Sequence, residues 1–426
     1  MTRIDPALQA QVDAQLMEQG AFTALDLLID SGRLIYSDYE GWRRREIDLL
    51  DSVLMGNQEK IRAQIEQAVG YARSIGLVEQ TQEFHAWQSD ARDTGDKPLR
   101  ISADPQLHRL IAGRYAPAQS VPQLDLFFDN PVVALTNGIV RALSARNPGE
   151  AQRQLDRLYA QAPNHADLAA FDRLLAALGR LNQPIDGDVD NPADGDADNC
   201  RRELDFLLDI APTARRLLGS QSRDLLAPLW RQLADALDGH AFSPDEAALH
   251  RSFALGQAQD WPGVSACVQN ESGWWLHAAL CLRLAQSSFY QQRRSEALTA
   301  WCHLCWRNPE QATDALDKRQ QPDAGVTALW QLFIDIEENA SPDDAIQEPA
   351  LTAADFPAWM LLHEPGLAQQ LAADLPTGDT PGEEHYRCVH RWIQARRAGR
   401  ADEEMALRKT LQASHPALFR YLKAQV

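Results

Sequence analysis

The chain has 426 residues, 45% of them hydrophobic and 24% charged, with a formal net charge of -19. That composition excludes a disordered polymer and supplies enough apolar surface for more than one core of ordinary size. The summed negative field repels phosphate, so nucleic acid and anionic membrane are not expected as general partners.

The start, Met1-Thr2-Arg3-Ile4-Asp5-Pro6, lacks the basic-then-apolar run of a secretory signal. No uninterrupted stretch of apolar residues is long enough to predict a membrane span. Six cysteines are scattered at Cys200, Cys267, Cys281, Cys302, Cys305 and Cys388. Their sparseness fits reduced thiols in a cytoplasm better than a secreted disulfide scaffold.

Helical periodicity runs through nearly the whole chain and strand alternation through almost none, which predicts an all-α protein. Asp5-Pro6 opens a first helix bearing Leu8, Val12 and Leu16, and Phe22, Leu25, Leu28 and Ile29 continue at similar spacing. A second helix is predicted from about Gly41 to Leu54, with Ile47, Leu50, Val53 and Leu54 as its apolar stripe. A third carries Ile61, Ile65, Ala68, Val69 and Ala72 and stops at Gly76. These elements predict an amino-terminal helical bundle over 1–88.

The polar run Ser89 to Pro98 reads as a linker or exposed loop. Helices resume over Pro105 to Ala112, Pro131 to Ala145, Gly149 to Ala162 and Ala166 to Leu181, giving a second domain over 104–184. The acidic, Gly- and Pro-containing stretch Pro184 to Asn199 reads as a boundary. A tryptophan-rich helical domain over 200–426 follows, interrupted near Gly239–Ser243, Ser341–Pro349 and Pro376–Glu383.

Within these helices a hairpin pattern recurs. Ala297, Trp301, Leu304 and Pro309 take the second-helix spacing in which a small residue, a large one and a terminating proline follow each other. Leu284 and Ala285 supply the large and small residues of the first helix. Ala151, Leu155, Leu158 and Pro163 repeat the second-helix spacing, followed by Asn164-His165. Pro416 closes a third candidate with Leu411 in register and Trp392 near the small-residue position. The small residue lets antiparallel helices approach, the large one fills the gap, and proline stops the second helix.

In this the chain resembles tetratricopeptide-like helical-repeat proteins. The resemblance implies a solenoid of stacked hairpins presenting a concave surface to another protein, with no catalytic residues to carry over. No fixed period connects the three candidates, so an irregular set of helical hairpins obeying the same packing rules is the alternative.

Four constellations are candidates for chemistry or binding. His277 and Cys281 lie one turn apart, as do Cys302 and Cys305 on the following helix. An antiparallel hairpin would let all four converge on zinc, whereas ordinary core packing of the cysteines is the competing reading. The alternating aspartates of Asp186 to Asn199 suggest a calcium loop but lack its glycine and closing glutamate, so a solvated acidic linker fits them better.

Tyr36 to Arg45 gathers three aromatics and three arginines, and Trp42, Arg43, Arg44 and Arg45 form its candidate binding patch. A helix terminus with Trp42 in the core is the alternative. Trp274, Trp275, Trp301 and Trp306 are candidates to line a groove, because adjacent Trp274 and Trp275 cannot face one way on a helix, whereas core filling between hairpins is the competing reading. His363, His385, His390 and His415 show no recognised spacing, and phosphate loops, serine elbows and dinucleotide fingerprints are missing.

The expected function is therefore an adaptor or assembly scaffold that binds a protein or peptide, without a cofactor or chemistry of its own. Two rivals stand beside it. One is a metal- or redox-responsive regulator using His277, Cys281, Cys302 and Cys305. The other is an all-helical enzyme with an unrecognised site, which a deep polar pocket would favour.

Overall fold

A computed structural model describes residues 4–87, 98–117, 131–181, 183, 185, 195–317, 323–338, 351–372 and 380–424. They are mostly helical and divide into two compact units, Met1–Trp261 and Pro262–Val426. No helix among the described residues is long and apolar enough to cross a membrane.

The first unit begins with α1 (Pro6–Gln19), capped by the Asp5 carboxylate and stopped by Gly20 at φ 66°. After β1 (Phe22–Thr23), the Thr23 hydroxyl caps α2 (Ala24–Asp30). The next helix departs from expectation. Its range is Tyr36–Arg43 (α3), and Leu50–Val53 forms only a 3-10 turn. Arg45 adopts a left-handed φ of 62°, and the Glu46 amide bonds the Gly41 carbonyl at 2.8 Å, which ends the helix. Leu50 is still fully buried. Its apolar spacing therefore reported burial and was mistaken for helical period.

Asn57 caps α4 (Gln58–Ser74), and Gly76 at φ 88° ends it where expected. The chain then forms strands that its pattern barely announced, β2 (Leu77–Thr81) and, after α5 (Pro105–Ala112), β3 (Gly113–Pro117). The antiparallel order is β1-β3-β2, with Phe22 opposite Tyr115 and Thr81 opposite Gly113. Because β3 bonds both earlier strands, the segment 1–88 does not stand as a separate bundle. The rest of the unit is α6 (Pro131–Ser144), α7 (Pro148–Gln161), α8 (Leu168–Arg180), α9 (Gly195–Leu218), α10 (Ser222–Ala236) and α11 (Arg251–Gln257).

Most of the acidic stretch, and the interruptions at 341–349 and 376–379, lie outside the described residues. Gly195 to Asn199 open α9 instead of forming a loop, so this end of the acidic stretch is not a calcium turn. The contacts of α10 with α6 and α8 place that helix in the first unit. The division therefore falls at Trp261 and not near residue 200.

The second unit opens within α12 (Trp261–Asn270) and continues with α13 (Ala278–Tyr290), α14 (Arg294–Arg307), α15 (Pro309–Asp317) and α16 (Ala324–Glu338). It ends with α17 (Phe356–His363), α18 (Pro381–Arg397), α19 (Ala401–Ser414) and α20 (Pro416–Ala424). Trp330, Phe333, Phe356 and Trp359 pack ring on ring in its core, with neighbouring centroids 5.2–6.1 Å apart.

Three hairpins, α6–α7 in the first unit and α13–α14 and α18–α19 in the second, share one local design. Each turns through a left-handed residue, Arg146, Gln292 or Gly399, at φ 56°, 59° and 68°. The next amide reaches back to Ala142, Ser288 or Ala395 at 2.8–2.9 Å. Each second helix ends on Ala162, Asn308 or His415 in non-helical backbone, immediately before proline. A residue before proline is pushed out of helical geometry, which explains the stop. The interval from left-handed residue to proline is seventeen residues every time (146 to 163, 292 to 309, 399 to 416).

A test of this equivalence follows. A left-handed residue other than glycine costs about 1–2 kcal/mol. Gly399→Ala is expected to lower stability by about 1 kcal/mol and Gln292→Gly to raise it by a similar amount. Urea midpoints of the two variants check both signs.

Candidate binding site

A cavity of about 360 Å³ opens in the first unit where α3, α6, α10 and the segment after β2 meet. Tyr36, Tyr39 and Arg43 come from one face of α3, and Arg223 and Asp224 from the first turn of α10. Gln82 to His85 form one wall and Arg141 and Ser144 another.

Charge is buried behind this wall. Glu40 is 1% exposed. One of its oxygens accepts from Arg146 at 2.9 Å, and the other pairs with Arg231. Arg44 stands 4.0 Å away. Asp224 accepts the Tyr36 hydroxyl at 2.8 Å and faces Arg43 at 3.8 Å. Arg146 donates to the Asp224 backbone carbonyl at 2.8 Å. The guanidiniums of Arg146 and Arg43 lie 4.0 and 4.7 Å from the ring centre of Trp87.

Burial pushes the Asp224 carboxyl up to about 6, against the pull of Arg43, the Tyr36 hydroxyl, Arg146 and Arg223. The carboxylate is therefore mostly ionised at neutral pH. Burial raises the phenol of Tyr39 as well, despite the adjacent Arg43.

The patch expected around Trp42 is not a single surface. Trp42 is fully buried, and its indole donates to the Arg100 carbonyl at 2.9 Å. Arg43 turns inward onto Tyr39, the His85 carbonyl and Asp224. Arg44 forks onto the carboxylate of Glu46, and Arg45 sits exposed at the left-handed turn. Four consecutive residues near the end of a helix point in different directions, so only Arg43 reaches the cavity. Its main acidic neighbour, Asp224, lies 181 residues away (43 to 224), beyond the reach of a local motif.

The tryptophan groove is corrected in the same way. Trp301 and Trp306 are 3% and 4% exposed, and only Trp274 and Trp275 remain half-buried. The ring of His303 stands edge-on to Trp274 at 5.3 Å and to Trp306 at 5.6 Å, and 6.5 Å from Trp275. Burial pushes that imidazole down to about 4, with Glu383 opposing, so it is neutral at ordinary pH. This region is an aromatic core with a half-exposed lip.

The proposed zinc ligands do not converge. Among the described residues, the set of three or more such donors lying within 4.8 Å of one another is Asp355, His385 and His415. His277 sits at the start of α13, and the Cys281 thiol faces the carbonyls of Trp274 and Trp275 at 3.8 and 3.6 Å. Cys302 and Cys305 are buried in α14. Burial pushes Cys281 up to about 12 and raises Cys302 and Cys305 further, the opposite of what a thiolate ligand needs. Mid-helix packing fixes these sulfurs in the core.

The carboxylate and two imidazoles that do meet come from three chain turns. Asp355 closes a capping box with Thr352, whose amide and hydroxyl donate to Oδ2 at 2.9 and 3.0 Å. Its Oδ1 faces His415 Nε2 at 3.0 Å and His385 Nδ1 at 3.4 Å. Burial works against the carboxylate. The imidazoles and the Thr352 donors outweigh it and hold Asp355 well below the usual range. His385 and His415 lie thirty residues apart (385 to 415), so no spacing rule could have joined them.

Compared with models of protein families, with curated proteins and with solved structures, the chain matches none.

Proposed function

We propose that this chain is a tetratricopeptide-like scaffold that binds another protein without chemistry of its own, using the first-unit cavity to take an acidic segment of that partner. The observation that carries the reading is an open cavity bordered by three arginines, Arg43, Arg141 and Arg223, alongside Asp26, Glu83 and Asp224, on a chain of net charge -19.

Arg43 meets Asp224 at 3.8 Å, and Arg223 meets Asp26 at 3.6 Å and donates to Asp30 at 3.1 Å. All three contacts are longer than the 2.7–2.9 Å of a tight charge-assisted hydrogen bond. Arg141 is exposed on the rim and has no ion-pair partner among the described residues. A carboxylate from outside would gain all three guanidiniums at once. Asp26 is already bonded by Thr23, and Asp224 by Tyr36, which reduces the repulsion it would meet.

Binding is favoured over catalysis by what the cavity lacks. The Ser144 hydroxyl donates to the Val140 carbonyl at 2.9 Å instead of to a base. The Asp224 carboxylate is committed to Tyr36 and Arg43, so no paired nucleophile and base face the opening. The three equivalent hairpins support the scaffold half of the reading.

The test is affinity purification of the tagged full chain from cells that make it, compared with two variants. Arg141→Glu is expected to lose the partner that the wild type recovers, with recovery by the wild type falling as salt is raised. Trp274→Ala with Trp275→Ala is expected to keep that partner. Recovery unaffected by Arg141→Glu would exclude this cavity as the binding surface.

A further inference from the structure

We propose that Asp355, His385 and His415 form a binding site for one divalent transition-metal cation of the zinc, cobalt or nickel class. The site lies wholly in the second unit and is independent of the cavity described above.

Two imidazoles and one carboxylate are the donor set that such borderline cations select, and calcium or magnesium would call for more oxygens. The spacing fits. Ligands held about 2.0–2.2 Å from a common ion stand roughly 3.0–3.6 Å apart, for octahedral or tetrahedral angles. The Asp355 Oδ1 distances are 3.0 Å to His415 Nε2 and 3.4 Å to His385 Nδ1. The two rings stand edge-to-face with centroids 4.7 Å apart.

A hydrogen-bonded staple would use the same three groups, and it leaves one of them unexplained. His415 Nε2 is well placed to donate to Asp355 Oδ1. His385 Nδ1 is buried, lies 3.4 Å from the same oxygen, and has no hydrogen-bond partner. A cation between the rings and the carboxylate would give that nitrogen a partner.

The outer contacts suit the role. Thr352 occupies Oδ2 with two donors, which leaves Oδ1 as a single-atom ligand of fixed direction. Each ligand also sits on a rigid chain end: a capping box, the first turns of α18, and the residue locked in front of Pro416. Asp355 and His415 are buried and His385 is half-buried, so the three protein ligands are sheltered.

Loading has one local consequence. His415 Nδ1 accepts the Leu418 amide at 3.3 Å, which places the imidazole proton on Nε2. With a cation on Nε2 that proton moves to Nδ1, so the long bond from Leu418 is given up and the proton count of the ring is unchanged.

The test uses the metal-stripped full chain titrated with Co²⁺ and then displaced with Zn²⁺. The expected result is one equivalent bound, with ligand-field absorption and no thiolate-to-cobalt charge-transfer band. His385→Ala and His385→Gln, shown by circular dichroism to remain folded, are expected to weaken binding by about tenfold or more. Wild-type protein that takes up no stoichiometric cobalt overturns the proposal. So does equal binding by a folded His385 variant, or a charge-transfer band that moves the metal to the cysteines.

Discussion

Replacing Glu40 by alanine is expected to destabilise the first unit by about 3–5 kcal/mol, among the largest effects of any single substitution. The side chain is 1% exposed and lies between Arg146 and Arg231, which are 13% and 26% exposed. Removing the carboxylate leaves two sheltered guanidiniums facing each other with nothing between them. That penalty exceeds the net worth of the ion pairs themselves, because the desolvation of the arginines is no longer offset.

Arg44→Ala offers the contrast. Its guanidinium is 40% exposed and its partner Glu46 60% exposed, so its loss is expected to cost less than about 1 kcal/mol. Urea denaturation followed by hydrogen exchange in α3 and α6 reads the first unit separately from the second. A loss below 1 kcal/mol for Glu40→Ala would mean that water enters the site and screens the arginines.

Gly382→Ala is the second large effect, in the other unit. A Cβ at that position would lie 2.5 Å from the Ala354 carbonyl oxygen and 2.9 Å from Trp306 Cδ1. Neither neighbour is a flexible chain end, since one is backbone and the other a buried indole. The first turn of α18 has to move away, at a cost of about 1–3 kcal/mol as for other overpacked cores. That turn carries Glu383, 1% exposed and facing Arg307 and Arg387, so the displacement also disturbs a buried charge. Gly366→Ala is the control. An added Cβ there meets nothing within 4 Å, and its effect is expected within about 0.5 kcal/mol. Thermal melts of the pair give the comparison, and equal stability would show that α18 adapts freely.

The parts of this fold legible in the sequence were those decided locally. Asp5 caps its helix through a neighbour two residues away, and Gly76 stops another through its own backbone freedom. The hairpin prolines were legible for the same reason, because a proline acts on the residue immediately before it. β2 and β3 were missed because five residues with a half-buried face carry too little alternation to stand out against helix. The stripe Ile47 to Leu54 misled because a buried turn and a helix can share apolar spacing.

The sites were less legible than the fold, again for a physical reason. Arg43 was singled out, but as part of a patch defined by adjacency, whereas its partners are fixed by tertiary packing. Asp224 and Trp87 reach it from separate elements. The cysteines of α13 and α14 were chosen for helical spacing, and spacing cannot tell a converging face from a buried one. His385 and His415 carried no pattern at all, and meet only because Pro416 and the Thr352 capping box fix the ends of distant helices.

The central claim is that the cavity beside Arg43, and not the tryptophan-rich hairpin, receives the partner. The most direct measurement is site-specific photo-crosslinking in the cells that make the protein, with a benzophenone side chain placed at Glu83 on the cavity rim or at Trp275. The expected result is a discrete crosslinked species from position 83, mapping to an acidic segment of the partner and lost with Arg141→Glu, and none from position 275. A crosslink from position 275 with none from position 83 would contradict it.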